Sequence, residues 1–192
     1  MGGCLINAIS CAAYYALEAE GITSVGVLDI DAHHGNGIAN TIEGEERIRY
    51  VSLHELNAGM SMGGGPRPEY DPRSPEESDI GPRGNIRNIV LKKGEGWGTY
   101  ERKLVEGLVF LEDSDLLIVA AGFDAVKEDN TSGLSLQPKD YKSIGRIISR
   151  KMKDKPVVLG LEGGYTHEKG SSEEMGGVLG ACVAEFVKGL KD

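Results

Sequence analysis

The stretch VGVLDIDAHHGNG, residues 25–37, decides the fold class of this chain. It opens on an apolar, β-branched run, Val25 to Ile30, bounded by turn residues and too short for a helix, which reads as a buried strand. The run then meets Asp29, Asp31 and His33, which alternate; a strand continuing through them would point all three side chains to one side. Comparable runs recur at Ile48–Leu53, Ile86–Leu91, Leu116–Ala121 and Val157–Leu161, and all read as buried strands. Helical spacing of apolar residues occupies Leu5–Glu20, with Gly21 as a stop, then Tyr100–Leu111, Lys139–Met152 and Glu173–Leu190. Strands alternating with helices predict an α/β fold with a mostly parallel sheet flanked by helices.

The segment 55–85 breaks that order. Gly63-Gly64-Gly65-Pro66 and the prolines at 68, 72, 75 and 82 forbid regular structure there, over a stretch longer than the ordinary loop limit of about 15 residues. No internal repeat and no sharp change of composition divides residues 1–192, so a single domain containing this long loop is expected.

Composition narrows the function classes. With 21 Lys+Arg against 30 Asp+Glu, and the basic residues scattered among the acidic ones, the net charge of −9 would repel a phosphate backbone. Direct nucleic-acid binding is not expected, whereas a cationic substrate would be steered favourably. The apolar runs fall far short of the roughly 20 residues that cross a bilayer, and no secretory signal opens the chain. A cytoplasmic or nuclear location follows as the default. Cys4, Cys11 and Cys182 are odd in number and lack C-x-x-C spacing, so they read as reduced and mostly packing residues rather than a disulfide or thiolate-metal framework.

Ligands of an open parallel sheet gather at the carboxyl ends of its strands, and three such ends here are unusual. DIDAHHGNG (29–37) ends one strand in two carboxylates and an imidazole, AAGFDA (120–125) places Asp124 beyond a second, and LEGGY (161–165) presents Tyr165 after a tight turn at a third. Asp31, His33 and Asp124 together make a one-imidazole, two-carboxylate set suited to Zn²⁺ or Fe²⁺, with a coordination position left open. Such an ion acidifies bound water and polarises a carbonyl, which is the chemistry of amide hydrolysis. Tyr165 would then donate a hydrogen bond to the developing oxyanion. Each element also has a plain reading: Asp-x-His can end any strand, an Asp after a strand often caps a helix, and Gly-Gly-Tyr can be a simple turn. It is their conjunction, in this order, that points to a site.

DIDAHHGNG, VSLH (51–54), AGFDA followed by GLSL (133–136), and LEGGY resemble the motifs of the zinc-dependent histone deacetylase family, which includes acetylpolyamine amidohydrolases and acetoin-utilisation proteins. The resemblance runs from about Gly2 to Tyr165. It implies an arginase-like α/β fold and the removal of acetyl from an acetylated amine, whether a protein lysine, a polyamine or a small metabolite. It implies that Asp31, His33 and Asp124 bind zinc and that Tyr165 polarises the acetyl carbonyl. Asp29, His34 and Asn36 match positions that support the ligands. A structural potassium ion is implied at Asp29, Asp31, His33, Ser52 and Leu53. His54 reads as structural, beside that cation.

The resemblance covers only the C-terminal part of the family domain. The family's catalytic base belongs to a tandem His pair shortly before the segment matched by Gly2-Gly3-Cys4, so the base and the early strands are expected from elsewhere: a separately encoded N-terminal half, a homo-oligomer, or the remainder of a gene of which this sequence is a truncated record. His167 reads as a solvated loop residue rather than a substitute base. Gly2, Gly3, Met60 and Met62 fall where the family lines its substrate channel, at places where aromatic residues are usual. Two alternatives stay open at this stage. One is a non-catalytic metal-binding remnant serving as a partner-binding domain, favoured by the absent base; the other is an arginase-type two-metal protein.

Overall fold

The computed structural model describes residues 5–56, 80–164 and 172–192, with side chains for all of these except 172–176. Most of the Gly/Pro-rich loop lies outside the described residues, as do Gly2, Gly3, Met60, Met62, Tyr165 and His167. The chain runs α1 (Ala8–Ala16), β1 (Val25–Asp29), α2 (Asn36–Ile42), β2 (Ile48–Glu55), β3 (Ile86–Leu91), α3 (Trp97–Leu111), β4 (Leu116–Ala121), α4 (Pro138–Lys151), β5 (Val157–Leu161) and α5 (Ser172–Lys191).

The five strands form one sheet in the order β3-β2-β1-β4-β5, every neighbouring pair parallel. The chain lays down β1, β2 and β3 outward in one direction, then crosses back to place β4 on the other side of β1. That reversal leaves a crevice beyond the carboxyl ends of β1 and β4, where the helices following the two strands diverge. The expected α/β parallel sheet is therefore present, and its switch point falls between the two strands that carry the acidic motifs.

Side-chain alternation sorts the core into two layers. Val25 and Val27 face a cluster built with Ile9 and Ala13 of α1 and Ile38 and Ile42 of α2. Leu28 and Ile30 face the opposite way, against Leu104 and Leu108 of α3, Ile144 of α4 and Phe186 of α5. Local signals start the helices. Asn7 accepts a hydrogen bond from Ser10 N at 2.9 Å to open α1, and α4 begins with Gln137 and Asp140 capping each other's backbone around Pro138. The entries to β1 and β4 are tied together by Asp115, whose Oδ2 accepts from the backbone and hydroxyl of both Thr23 and Ser24 at 2.7–3.0 Å. Those donors hold its carboxyl down at about 2.

The structure corrects four sequence expectations. β1 stops at Asp29, so Asp31 and His33 are not strand residues. The helix α2 has seven residues and was not foreseen. β5 was expected to be buried, but it is the outermost strand on its side and Val158, Leu159 and Leu161 are exposed. Cys182 packs in the core, but Cys11 is exposed on α1 and does not. Among the described residues no helix is long and apolar enough to cross a membrane.

The crossing of α4 and α5 depends on two glycines. A Cβ at Gly145 would lie 2.4 Å from Phe186 O, and one at Gly189 would lie 2.0 Å from Lys142 O, so the helices touch through backbone. At an exposed helical site Gly→Ala gains up to about 1 kcal/mol, but forcing a methyl into closed packing costs roughly 1–3 kcal/mol. Gly145→Ala is therefore expected to destabilise the chain by about 1–2 kcal/mol net, read as a lower urea midpoint; a rise in the midpoint would show that the helices part easily.

Candidate metal centre

Because β1 ends at Asp29, the next residues turn, and the turn is made of carboxylates accepting from backbone two residues on. Asp29 Oδ1 accepts from Asp31 N at 3.1 Å, and Asp31 Oδ1 accepts from His33 N at 2.8 Å. These local bonds are the ones short acidic side chains favour in turns. They fold the segment back on itself, so that Asp31 and His33 converge through a turn and not through strand alternation.

Asp124, three residues past the end of β4, closes the group from the neighbouring strand. The Nδ1 of His33 lies 2.8 Å from Asp124 Oδ2 and 3.0 Å from Asp31 Oδ1. The remaining oxygens are held by main chain: Ala32 N donates to Asp124 Oδ1 and Gly163 N to Asp31 Oδ2, both at 2.7 Å. His33 Nε2 faces Thr131 O at 3.2 Å. Protonated, His33 donates from Nδ1 to both carboxylate oxygens; neutral, with its proton on Nε2, its Nδ1 lone pair and the two oxygens converge as a ligand set. One ligand atom from each of Asp31, His33 and Asp124 lies within 4.8 Å of the others, a grouping that could hold a metal ion.

The electrostatics agree. Burial raises the carboxyl of Asp124 to about 7, with the charge of Asp31 adding to it and His33 opposing. Burial also pushes Asp29 well above the usual carboxylate range, helped by Asp31 and opposed by the Tyr50 hydroxyl, which donates to Asp29 Oδ2 at 2.7 Å. Burial disfavours a charged His33, yet its bonds to Asp124 and Asp31 outweigh this and raise it to about 10. Three carboxylates sharing so little solvent call for positive charge, which a protonated His33 or a bound cation supplies.

The donor set at a sheet switch point matches a known family along nearly the whole chain: residues 1–180 match the histone deacetylase domain. This chain belongs to that family. Among similar proteins, an uncharacterised protein of Synechocystis sp. is 40% identical over 170 residues, covering 86% of this chain and 51% of its own length. Acetylpolyamine amidohydrolase 1 of Pseudomonas aeruginosa is 30% identical, covering 88% of this chain and 47% of its own. The crystal structure of the HDA15 HD domain superposes with a TM-score of 0.77 at 26% identity, covering 98% of this chain and 50% of that one. The fold is thus of the arginase and deacetylase type, and the chain spans about half the length of these relatives.

Of the residues singled out in the sequence, the structure brings Asp31, His33 and Asp124 together, with Asp29 behind them. Asn36 opens α2, and His34 is turned into the protein, its ring centroid 4.8 Å from that of His54. Ser52 is the register partner of Asp29 on β2, and its Oγ lies 2.9 Å from His54 Nδ1; Leu53 is fully buried. Tyr165 and the channel positions Gly2, Gly3, Met60 and Met62 lie outside the described residues.

Sequence reasoning missed four supports. Tyr50 is a buried tyrosine in a strand, and such a hydroxyl needs a partner, which is the one available signal. Thr131 contributes only its carbonyl, and Ser132 Oγ donates to Asp124 O at 2.6 Å; neither leaves a pattern in sequence. Gly163 could have been read as more than a turn residue. A Cβ there would lie 2.3 Å from Asp31 Oδ2 and 2.4 Å from Asp124 Oδ2.

Gly163→Ala should therefore weaken metal binding at least about tenfold, the scale on which supporting residues act, while leaving every ligand in place. Competition titration against a chromophoric chelator measures this, and unchanged affinity would show that the carboxylates are not held by this close approach.

Proposed function

We propose that this chain carries the metal-binding half of a zinc-dependent deacetylase-type amidohydrolase, which removes acetyl from an acetylated amine. The observation supporting the reading is the junction at His33, whose Nδ1 is aimed between one carboxylate after β1 and another after β4, in a chain of the histone deacetylase family. Asp31, His33 and Asp124 would hold the ion, Zn²⁺ or Fe²⁺ by donor chemistry. When bound, such a metal acts as a Lewis acid toward an acetamide carbonyl and acidifies water.

The residues of this chain orient and hold protons. Thr131 O fixes the His33 ring and its tautomer, a role that supporting partners of ligating histidines commonly fill. Ala32 N and Gly163 N each occupy one carboxylate oxygen, while Asp124 Oδ2 and Asp31 Oδ1, the latter also accepting from His33 N, face His33 Nδ1. Tyr165 follows Gly163 by two residues, and in this reading its hydroxyl donates to the oxyanion that forms on the acetyl group. The structural monovalent cation, potassium by the same reading, would lie behind the centre at Asp29, Asp31, His33, Ser52 and Leu53. The buried Asp29 carboxylate suits it.

The described histidines are engaged: His33 in the metal group, His34 against His54, and His54 with Ser52. The proton acceptor for the attacking water is therefore taken to come from the rest of the family domain. Substrates of this reading are acetylated amines, a protein lysine or a polyamine among them, in keeping with the acidic charge of the chain; neither nucleic acid nor a membrane is a partner.

Elemental analysis of the purified chain should find about one zinc per chain, in line with a single three-ligand site, and Asp31→Ala should abolish it. Tyr165→Phe should keep the zinc and, in the completed domain, lower hydrolysis of a fluorogenic acetyl-lysine amide about 10²- to 10³-fold. Tight zinc retained by the Asp31 variant would sink the ligand assignment. Zinc without turnover in the chain alone, followed by turnover once the rest of the domain is supplied, is the expected pattern.

A further inference from the structure

Basic residues that lie scattered in the sequence meet at one place in the fold. Val51 on β2 is the register partner of Arg87 on β3, so Arg49, two residues before Val51, points to the same face of the sheet as Arg87. That face is covered by α3, and Phe110 near the end of α3 lies beneath both guanidiniums. The Cζ of Arg49 is 5.7 Å from its ring centroid and that of Arg87 is 4.9 Å away. The two arginine side chains remain 41% and 43% exposed. With Arg83 they line a cavity of about 640 Å³ at the amino ends of β2 and β3, at the opposite end of the sheet from the metal centre.

Buried main-chain bonds fix the base of this cavity. Asn85 lines it too, and Asn85 Nδ2 donates to Ile42 O, Glu45 O and Ile48 O at 2.9–3.1 Å. These bonds hold the turn entering β2 against the start of β3, and so set the spacing of the arginines on the two strands. The Phe110 ring orients the guanidinium planes from below, a placement that suits their N–H edges to a planar acceptor such as a carboxylate. Each guanidinium has five donors, and the contacts it makes here engage one nitrogen. Arg49 Nη1 donates to Phe110 O at 3.2 Å and stands 3.7 Å from Asp113; Arg87 Nη1 stands 3.5 Å from Glu106. Both acids are more than half exposed, and ion pairs of that length between solvated groups hold little.

We propose that this cavity is a docking site for an acidic peptide segment of a partner protein, whose carboxylates pair with Arg49, Arg83 and Arg87 and whose apolar side chains cover Phe110 and Val109. Val109 is 49% exposed at the cavity wall, an apolar surface beside the charged one. Clusters of arginine recur in the recognition of acidic motifs, where the fork of each guanidinium takes a carboxylate edge-on. The chain as a whole carries a net charge of −9, so its surface elsewhere repels such a segment and the three arginines mark where it settles. A phosphate backbone is the poorer fit. Glu46 and Glu106 also line the cavity and oppose an unbroken run of negative charge, whereas a peptide spaces its carboxylates and sets apolar side chains between them. The inference stands apart from the deacetylase reading, because the cavity shares no residue with the metal centre.

The probe is a fluorescein-labelled peptide in which glutamate alternates with leucine, titrated with the full chain and read by fluorescence anisotropy. Saturable binding is expected, weakened at least about fivefold when sodium chloride rises from about 0.05 to about 0.5 M. Arg49→Gln and Arg87→Gln should each weaken it about tenfold, the scale of one lost charge-assisted pair. Arg87→Lys keeps the charge but not the planar fork, and should stay at least about threefold weaker than the parent. Arg102→Gln, at an exposed position of α3 outside the cavity, should bind as the parent does. The melting temperature of each variant is measured alongside and is expected to hold, since the altered side chains are solvated. Absence of saturable binding, binding undiminished in the Arg49 and Arg87 variants, or an equal loss in Arg102→Gln would each overturn the proposal. So would tighter binding of a labelled single-stranded DNA of equal charge, which would make the occupant a phosphate chain, or loss of binding in folded Asp31→Ala, which would place the peptide at the metal centre.

Discussion

The structure depends on a concentration of negative charge at one point. Asp31 and Asp124 each place an oxygen within reach of the same imidazole nitrogen, and Asp29 sits buried directly behind. Two like charges within 4.8 Å of each other repel by at least about 3 kcal/mol at an effective dielectric of ~20, a large part of the margin by which a domain of this size is stable. The fold meets this in two ways. Backbone N–H groups of Asp31, Ala32, His33 and Gly163 are aimed at the carboxylates, and the imidazole of His33 faces both at once.

Those N–H groups come from the ends of β1 and β5 and the carboxylates they meet from the ends of β1 and β4, which explains why the sheet order matters more than any helix. β1 and β4 must be neighbours for Asp124 to meet His33, and β5 must follow β4 for Gly163 to reach Asp31. Asp115 ties the starts of β1 and β4 together at the far end of the sheet, so the register of the two strands is fixed at both ends. Close approach is then possible only where no side chain intervenes. Gly163 and Gly122 lie against Asp31 at distances a Cβ could not occupy, and Gly35 lies likewise against Asp29 and Tyr50.

Much of this was legible in the sequence because it rests on local signals. Apolar β-branched runs located all five strands, and the acidic residues following β1 and β4 marked the switch point. What misled was the assumption that alternation continued past Asp29; carboxylates accepting from backbone two residues on made a turn instead, with the same convergence as outcome. The helix α2 was missed because NGIANTI is too short to display a helical period. The contributions of Thr131 and Ser132 were invisible because they act through a carbonyl and through a bond to one, and neither depends on a residue type a reader would single out. β5 was misread for a different reason. Its composition is that of a buried strand, and the sequence records the environment for which the strand is suited rather than the one this chain provides.

That mismatch separates two levels of completeness. All three metal-ligand candidates and their hydrogen-bonding supports lie within five strands and the turns after them, so the centre is organised by this chain alone. The exposure of β5 and α1 is a property of a surface, whereas the bonds that set the ligand geometry run between the turns after β1, β4 and β5. The candidate ligand group is therefore organised apart from the exposed flank. The groove bordering β5 and α1 reaches Asp31 and His33, so the exposed flank and the candidate metal centre share one cavity.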